Sequence, residues 1–175
     1  FPELNVLVNK AGIQQKRNLL TTDWQGERCQ TEIDTKLSAP IHLAILLARK
    51  FAAKPEAAII NVSSGLAFTP MAAAPVYCAA KAGLHSFSIS LRAQLASTGI
   101  KVIEIAPPAV NTDLGGSGGH TYGVPLDEFA DAVMTQLAEG KLEIGYGTSA
   151  KALRLSRDEI DATVAAINEK LPIPS

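Results

Sequence analysis

The stretch AIINVSSGLAFTPMAAAPVYCAAKAGLHSF, residues 58–87, contains one apolar run followed by one run of good helix formers. The apolar run AIINV is short and ends in two serines, which is typical of a buried strand and its exit. A proline at position 75 opens the second run and suits the first turn of a helix. The stretch therefore predicts a strand, a loop and a long helix.

Tyr77 and Lys81 lie four residues apart in the predicted helix, so both side chains leave the same helix face. An ammonium beside a phenol favours the phenolate, so we expect Lys81 to lower the Tyr77 pKa from its reference of about 10. Such a tyrosine can donate or accept a proton. Ser64 stands thirteen positions before Tyr77, where the strand ends, and would present its hydroxyl at the carboxyl edge of the sheet. Each residue alone also has a purely structural interpretation.

The rest of the chain alternates predicted strands with predicted helices. Apolar runs predict strands at 5–9, 58–62, 101–105 and 143–146. Helical periodicity and capping patterns predict helices from a Thr-x-x-Gln box at 22–25 to about 53, at 75 to about 97, at 127–139, and from a second box at 156–159 to about 170. This alternation predicts the α/β class, a parallel sheet with right-handed crossovers and a ligand crevice at the carboxyl ends of its strands.

Two details of the predicted helices bear on packing. The first helix carries a helix-period apolar set that we expect to form its apolar face: Ile33, Leu37, Ile41, Ile45 and Leu46. Pro40 could kink that helix, and Gly99 is expected to terminate the second one.

Length and composition exclude several classes of protein. The 175 residues suit a single domain spanning 1–175, and no linker divides them. Hydrophobic residues make up 47%, yet no apolar stretch approaches the roughly 20 residues of a membrane span. The net charge of −1 and the absence of a basic stripe argue against a nucleic-acid partner. Dispersed histidines predict no metal site, no GxSxG elbow supports a serine hydrolase, and two cysteines without CxxC spacing suit a reducing cytoplasm.

Several motifs together resemble the short-chain dehydrogenase/reductase family. They are Ser64, the YxxxK of Tyr77 and Lys81, NVLVNKAG at residues 5–12 and IAPPAVNTDL at 105–114. The most similar subgroup is the DltE-like oxidoreductases, on the segments APIHLAILL, VYCAAKAGLHSFSISLR, IEIAPPAVNTDL and VPLDEFADAV. The resemblance covers nearly the whole chain.

The resemblance implies part of a Rossmann-type doubly wound sheet, its four C-terminal strands with flanking helices. The family's pyrophosphate-binding turn, of the TGxxxGxG type, has no match in this chain. Residues 5–9 correspond to the family's fourth strand, so we expect a fragment or a truncated homologue. The glycine cluster at 115–119 follows a Pro-Pro strand exit and is interpreted as a flexible loop.

The resemblance also implies roles for named residues. Tyr77 would exchange a proton with a carbonyl or alcohol substrate, Ser64 would hydrogen-bond the same oxygen, and Lys81 would hold the nicotinamide ribose. NAD or NADP is the implied cofactor, with the choice between them open. The residues matching the family's cofactor-binding positions are Asn9, Ala11, Gly12, Tyr77, Lys81, Pro107, Val110 and Thr112.

Two lysines depart from the family pattern. Lys10 replaces the second asparagine of the NNAG turn, and Lys36 aligns with the helix asparagine that completes the family's catalytic tetrad. A buried ammonium is costly, so Lys36 puts proton delivery in doubt. The alternative is that Lys36 extends to solvent and has no role.

Two functions follow from these patterns. One is an NAD(P)-dependent oxidoreductase that acts on a small carbonyl or alcohol substrate and forms a homo-oligomer through the two long helices. The other is a catalytically inactive truncated homologue that serves as a structural or dimerisation module. The intact Ser64, Tyr77 and Lys81 favour the first, whereas Lys10, Lys36 and the missing glycine turn favour the second.

Overall fold

A computed structural model describes residues 1–21, 28–114, 122–171 and 173–174. Within these ranges four parallel strands form one sheet in the order β1-β2-β3-β4. The strands are β1 (Val6–Asn9), β2 (Ala57–Val62), β3 (Ile100–Ala106) and β4 (Glu143–Gly145). The register pairs Val6 with Ala58, Ala57 with Ile100 and Glu104 with Glu143. The predicted α/β class and parallel sheet are confirmed.

The described residues form six α-helices. They are α1 (Arg28–Ile33), α2 (Ala39–Ala52), α3 (Pro75–Gln94), α4 (Leu126–Ala138), α5 (Thr148–Ala152) and α6 (Arg157–Lys170). Four of them, α2, α3, α4 and α6, lie within or close to the four predicted helical segments. A π-helical turn, Asp34–Ser38, joins α1 to α2, and a 3-10 turn, Gly65–Ala67, follows β2. Sequence patterns predicted neither turn nor the short α5. The capping box at 22–25 and the glycine cluster at 115–119 lie outside the described residues.

The second long helix ends earlier than expected. Its last residue is Gln94, and Gly99 lies directly before β3 instead of at the helix end. Gly99 therefore does not terminate α3, and the residues between them make turns such as the hydrogen bond from the Thr98 amide to the Leu95 carbonyl.

Two apolar layers cover the sheet. On one face α2 and α3 pack against alternate residues of β2 and β3, and this cluster contains Ala44, Phe51, Ile59, Leu91 and Val102. On the other face α4 packs against the intervening residues, with Ile103, Ile105, Val133 and Ile144 buried together. The alternation follows from the two-residue period of a strand, and it keeps the carboxyl ends of the strands at one edge.

Part of the apolar surface stays open. Val6 and Val8 in β1 are 42% and 52% exposed, although they belong to a strand. Ile45 and Leu46 are 68% and 60% exposed, so the prediction that they belong to the packed face of the first helix is wrong. The π-helical turn shifts the helix face before α2 begins, and Ala44 and Phe51 occupy the core side instead.

The last helix begins with the predicted capping box. The Ser156 hydroxyl accepts from the Glu159 amide at 3.4 Å, and the Glu159 carboxylate accepts from the Ser156 amide at 2.8 Å. Near its other end, Asn168 accepts from the Ala72 amide at 2.6 Å and donates to the Pro70 carbonyl at 3.3 Å. Helix α6 is thus fastened to the loop that precedes α3. No helix in the described ranges has the length and apolarity that crossing a membrane requires.

Candidate active site

Ser64, Tyr77 and Lys81 come together where β2 ends, as the sequence predicted they would. Ser64 is the N-cap of the 3-10 turn, and its hydroxyl oxygen accepts from the Leu66 amide at 3.1 Å. The Ser64 side chain lies beside Tyr77 and favours its phenolate, and the Lys81 ammonium lies 5.9 Å from the centre of the Tyr77 ring. All three are almost fully buried, with 7%, 5% and 4% of their surfaces exposed. The arrangement is therefore a water-poor cluster of three polar groups.

The ionisation of Tyr77 differs from the sequence expectation. Burial raises the pKa of Tyr77, and the Ser64 hydrogen bond opposes this effect. The nearby Cys78 and Glu32 raise the pKa of Tyr77 further. The expected lowering of the Tyr77 pKa by Lys81 is therefore wrong, because burial has the largest effect and raises the pKa of Tyr77.

Lys81 is held by the backbone of the strand. Its Nζ donates to the Val62 carbonyl at 2.5 Å, which fixes the ammonium beneath the end of β2. Burial and the charge of Lys36 lower the pKa of Lys81 to about 8. Lys81 can therefore change its charge close to physiological pH, which an ordinary lysine cannot do.

Lys36 lies inside the molecule, next to Tyr77. Its residue surface is 1% exposed, its Nζ lies 3.6 Å from a Glu32 carboxylate oxygen, and it stands 5.1 Å from the centre of the Tyr77 ring. Glu32 is also paired with Arg17 at 3.3 Å. The alternative that Lys36 extends to solvent is therefore wrong. Sequence reasoning missed Glu32, although its spacing of four residues from Lys36 was visible.

Asn9 belongs to a buried amide network behind the three-residue cluster. Its Nδ2 donates to the Asn61 side-chain oxygen at 2.8 Å, and Asn61 in turn donates to the Ser88 hydroxyl at 2.9 Å. The network joins β1, β2 and α3, so the Asn9 side-chain amide is already used structurally. Ala11 and Gly12 are exposed just beyond β1, and a Cβ added at Gly12 would approach no atom closer than 3.7 Å.

The segment after β3 supplies the other candidate cofactor contacts. The Pro107 carbonyl accepts from the Gly65 amide at 2.9 Å, which joins this segment to the turn that carries Ser64. Val110 makes a β-bridge with Val124, and the Thr112 hydroxyl accepts from the Leu114 amide at 3.4 Å. Between them, the buried Asn111 Oδ1 has no hydrogen-bond partner within the described ranges. The sequence had not singled out the side chain of Asn111 as a candidate contact.

Comparison with known proteins agrees with this geometry. A family model described as short chain dehydrogenase matches residues 1–122. The chain belongs to the short-chain dehydrogenase family. An uncharacterised oxidoreductase of Bacillus subtilis, DltE, is 46% identical over 149 residues, covering 82% of this chain and 59% of the relative. This short-chain dehydrogenase chain is thus DltE-like and spans less than two thirds of that relative's length.

Other short-chain dehydrogenases show similar coverage. The 3-oxoacyl-[acyl-carrier-protein] reductase FabG of Escherichia coli is 36% identical over 142 residues, which are 81% of this chain and 54% of that enzyme. A Burkholderia cenocepacia short chain dehydrogenase solved with NADP superposes with a TM-score of 0.79 at 21% identity, covering 97% of this chain and 71% of the other. A Sphingobium yanoikuyae enzyme solved with NADPH gives 0.74 at 22% identity, covering 97% and 66%. The structural matches establish the fold.

The residues present fit the nicotinamide end of the cofactor that this family uses. The unpartnered Asn111 Oδ1 is an acceptor suited to an amide N–H, and Lys81 and Thr112 offer a donor and a hydroxyl at the same sheet edge. No glycine-rich turn of the pyrophosphate-binding type occurs in the 175 residues. No group of three or more potential metal ligands was found among the described residues.

Proposed function

We propose that the chain carries the proton-transfer groups and the nicotinamide side of an NAD(P)-linked oxidoreductase that acts on a carbonyl or alcohol. The proposal depends on one observation above all, the buried contact between Ser64 and Tyr77 with the Lys81 ammonium beside the ring. A phenol kept from water and hydrogen-bonded by a serine is a suitable acid for a substrate oxygen.

The bound cofactor would supply or accept the hydride at the substrate carbon. In the reducing direction Tyr77 would give its proton to the carbonyl oxygen, so that the substrate gains one hydride and one proton and becomes an alcohol. The Ser64 hydroxyl accepts from the Leu66 amide and keeps one O–H, which would turn from Tyr77 to donate to the same oxygen. The phenolate left on Tyr77 would have the Lys81 ammonium 5.9 Å from its ring centre as a nearby cation. In the oxidising direction each proton transfer reverses.

The cofactor's nicotinamide end would lie along the carboxyl edge of the sheet. Lys81 and Tyr77 would hold the ribose hydroxyls, and Thr112 with the main chain of Pro107 and Val110 would hold the carboxamide. On the other side of the edge, the hydrogen bond from Asn9 to Asn61 holds the end of β1 in place. The exposed Ala11 and Gly12 would leave room for the cofactor to approach the backbone closely. NAD and NADP both satisfy these contacts, since they share this end.

The first test is turnover in the protein that carries this chain. NADH or NADPH oxidation with a panel of ketones and aldehydes should be lost in Tyr77→Phe, because only the transferable proton is removed. Tyr146→Phe is a matched control, since the Tyr146 hydroxyl bonds to Glu128 on α4. A Tyr77→Phe variant that keeps wild-type turnover would refute the assignment.

The second test concerns the cofactor on the chain itself. Saturation-transfer NMR should show contact between the protein and nicotinamide mononucleotide, and Lys81→Met should weaken it. ADP-ribose should show no comparable signal, because the residues that would hold a pyrophosphate are not encoded in these 175 residues. Equal signals from both compounds, or signal from ADP-ribose alone, would contradict the proposed site.

We also propose that α2 and α3 pair with a second copy of the chain. Three large apolar side chains on these helices, Ile45, Leu46 and Ile89, are 45–68% exposed, and a second copy of the chain would cover them. Sedimentation should show a dimer for the wild type and a monomer for Ile45→Glu. An unchanged monomer in both proteins would favour another role for this surface.

A further inference from the structure

Glu32 and Lys36 form a charged pair that is entirely enclosed by protein. Both side chains are 0% exposed, and their charged atoms lie 3.6 Å apart across one helical turn. Removing two charges from water costs more than such a pair usually returns, so a buried pair is poor evidence of a stabilising role alone. A protein can keep such a buried ion pair despite its free-energy cost when the two charges act on a neighbouring group.

What lies nearby is the ring of Tyr77. The Lys36 ammonium has no hydrogen-bond partner within the described ranges, and it stands 5.1 Å from the ring centre. A cation within about 6 Å of an aromatic face is attracted to it, more strongly in a desolvated site. Glu32 anchors this ammonium, and Arg17 holds Glu32 from the other side at 3.3 Å. Lys81 lies 5.9 Å from the same ring centre.

We propose that Lys36 is a positioning residue, whose Glu32-anchored ammonium holds the Tyr77 ring against Ser64 and adds a second cation beside that of Lys81. This inference rests on the proposed function, in which Tyr77 and Lys81 act together. Its consequence is that Lys81 gives up its proton more readily than it would beside Tyr77 alone. Lys81 can then change its charge near neutral pH, when Tyr77 gains or loses a proton.

Among the described residues, several charged and polar groups face this pair and Tyr77. Lys36 faces Glu32, Lys81 and the Tyr77 ring, Glu32 also faces Arg17, and Tyr77 also meets Ser64 and Cys78. Of these, Lys36 is the charge that lowers the pKa of Lys81, after burial itself. Burial lowers the pKa of Lys36 below that of an ordinary lysine, and Glu32 opposes part of this effect.

The test follows the proton of Lys81 by NMR on nitrogen-labelled lysine, with the resonance assigned by its loss in Lys81→Met. In the wild type the Nζ signal should titrate near pH 8. In Lys36→Met it should titrate about one pKa unit higher, because one cation within about 11 Å has been removed. Lys36→Arg keeps the charge and should leave the titration where it was. The Tyr77 ring resonances should broaden or shift only in the methionine variant.

The double variant Glu32→Gln/Lys36→Met removes both charges and leaves no unpaired carboxylate at this pair, so it remains testable if Lys36→Met does not fold. It should also raise the pKa of Lys81, by less than Lys36→Met does, because the Glu32 carboxylate that favours the charged Lys81 is removed as well. A wild-type Lys81 that titrates at its ordinary pKa, or an unchanged Lys81 titration in either neutral variant, would overturn the inference. These titrations need neither cofactor nor substrate. If the titration shift is observed but Tyr77→Phe keeps its turnover, the proposed enzymatic function is refuted and the inference about Lys36 stands.

Discussion

The low pKa of Lys81 should be visible in the stability of the fold as pH changes. Lys81 is 4% exposed, and its pKa is about 8 in the folded chain against 10.5 for an ordinary lysine. Between these two values the unfolded chain holds the proton more firmly than the folded chain does. The free energy of unfolding should therefore rise with pH across this window and be lowest below about pH 8.

The size of the effect follows from the two pKa values. At about 1.36 kcal/mol per pKa unit, their full separation corresponds to about 3.4 kcal/mol in the free energy of unfolding. Between about pH 7 and about pH 9.5, the difference in protons bound by the unfolded and folded chains integrates to a gain of about 2 kcal/mol in that free energy. Above about pH 10 the raised pKa of Tyr77 acts in the opposite sense, since the folded state disfavours the phenolate. The useful range thus ends before the tyrosine titrates.

Urea denaturation at a series of pH values measures the effect directly. Lys81→Met should lose most of the upward slope between about pH 7 and about pH 9.5, whatever its absolute stability, and the buried Lys36, whose pKa is also lowered, should leave a smaller slope of the same sign. Lys101→Met, at an exposed position of β3, should keep the wild-type slope. If Lys81→Met and the wild type show the same pH dependence, then Lys81 is not desolvated as the structure describes.

Other substitutions test the packing around the site. Gly145→Ala should cost at least about 1–3 kcal/mol in urea denaturation, because its Cβ would lie 2.7 Å from backbone of the following helix, whereas Gly12→Ala should be near neutral. Ser88→Ala should cost about 1–3 kcal/mol by leaving the buried Asn61 amide with one partner fewer. Ser156→Ala should cost about 1 kcal/mol through loss of the α6 cap, measured by thermal unfolding.

Local patterns were sufficient to predict the sheet and the convergence of three residues. The apolar runs identified four parallel strands, and the four-residue spacing of Tyr77 and Lys81 placed both beside Ser64. Strand ends and helix faces are local properties, so they can be predicted from spacing. The Ser156 box is equally local, and both of its hydrogen bonds are present.

Features that depend on solvent exclusion could not be predicted in this way. The pKa of Tyr77 rises mainly because the residue is buried, and the spacing of two residues in a motif does not show how deeply they are buried. A lysine is usually exposed, yet Lys36 lies in the π-helical turn before α2 and its side chain points inward to Glu32. Ile45 and Leu46 fit a helical period but lie on the outer side for the same reason.

The π-helical turn at Asp34–Ser38 also holds one residue more than a turn of regular α-helix. Deleting one residue there would let the two flanking segments fuse into a continuous α-helix. The widened turn covers about the same rotation with its extra residue as an α-helical turn does without it, so Glu32 and Phe51 would keep nearly the same relative directions. A one-residue deletion within this turn should therefore disturb the flanking helix faces less than a one-residue insertion within α2, where each added residue advances the helix by about 100°.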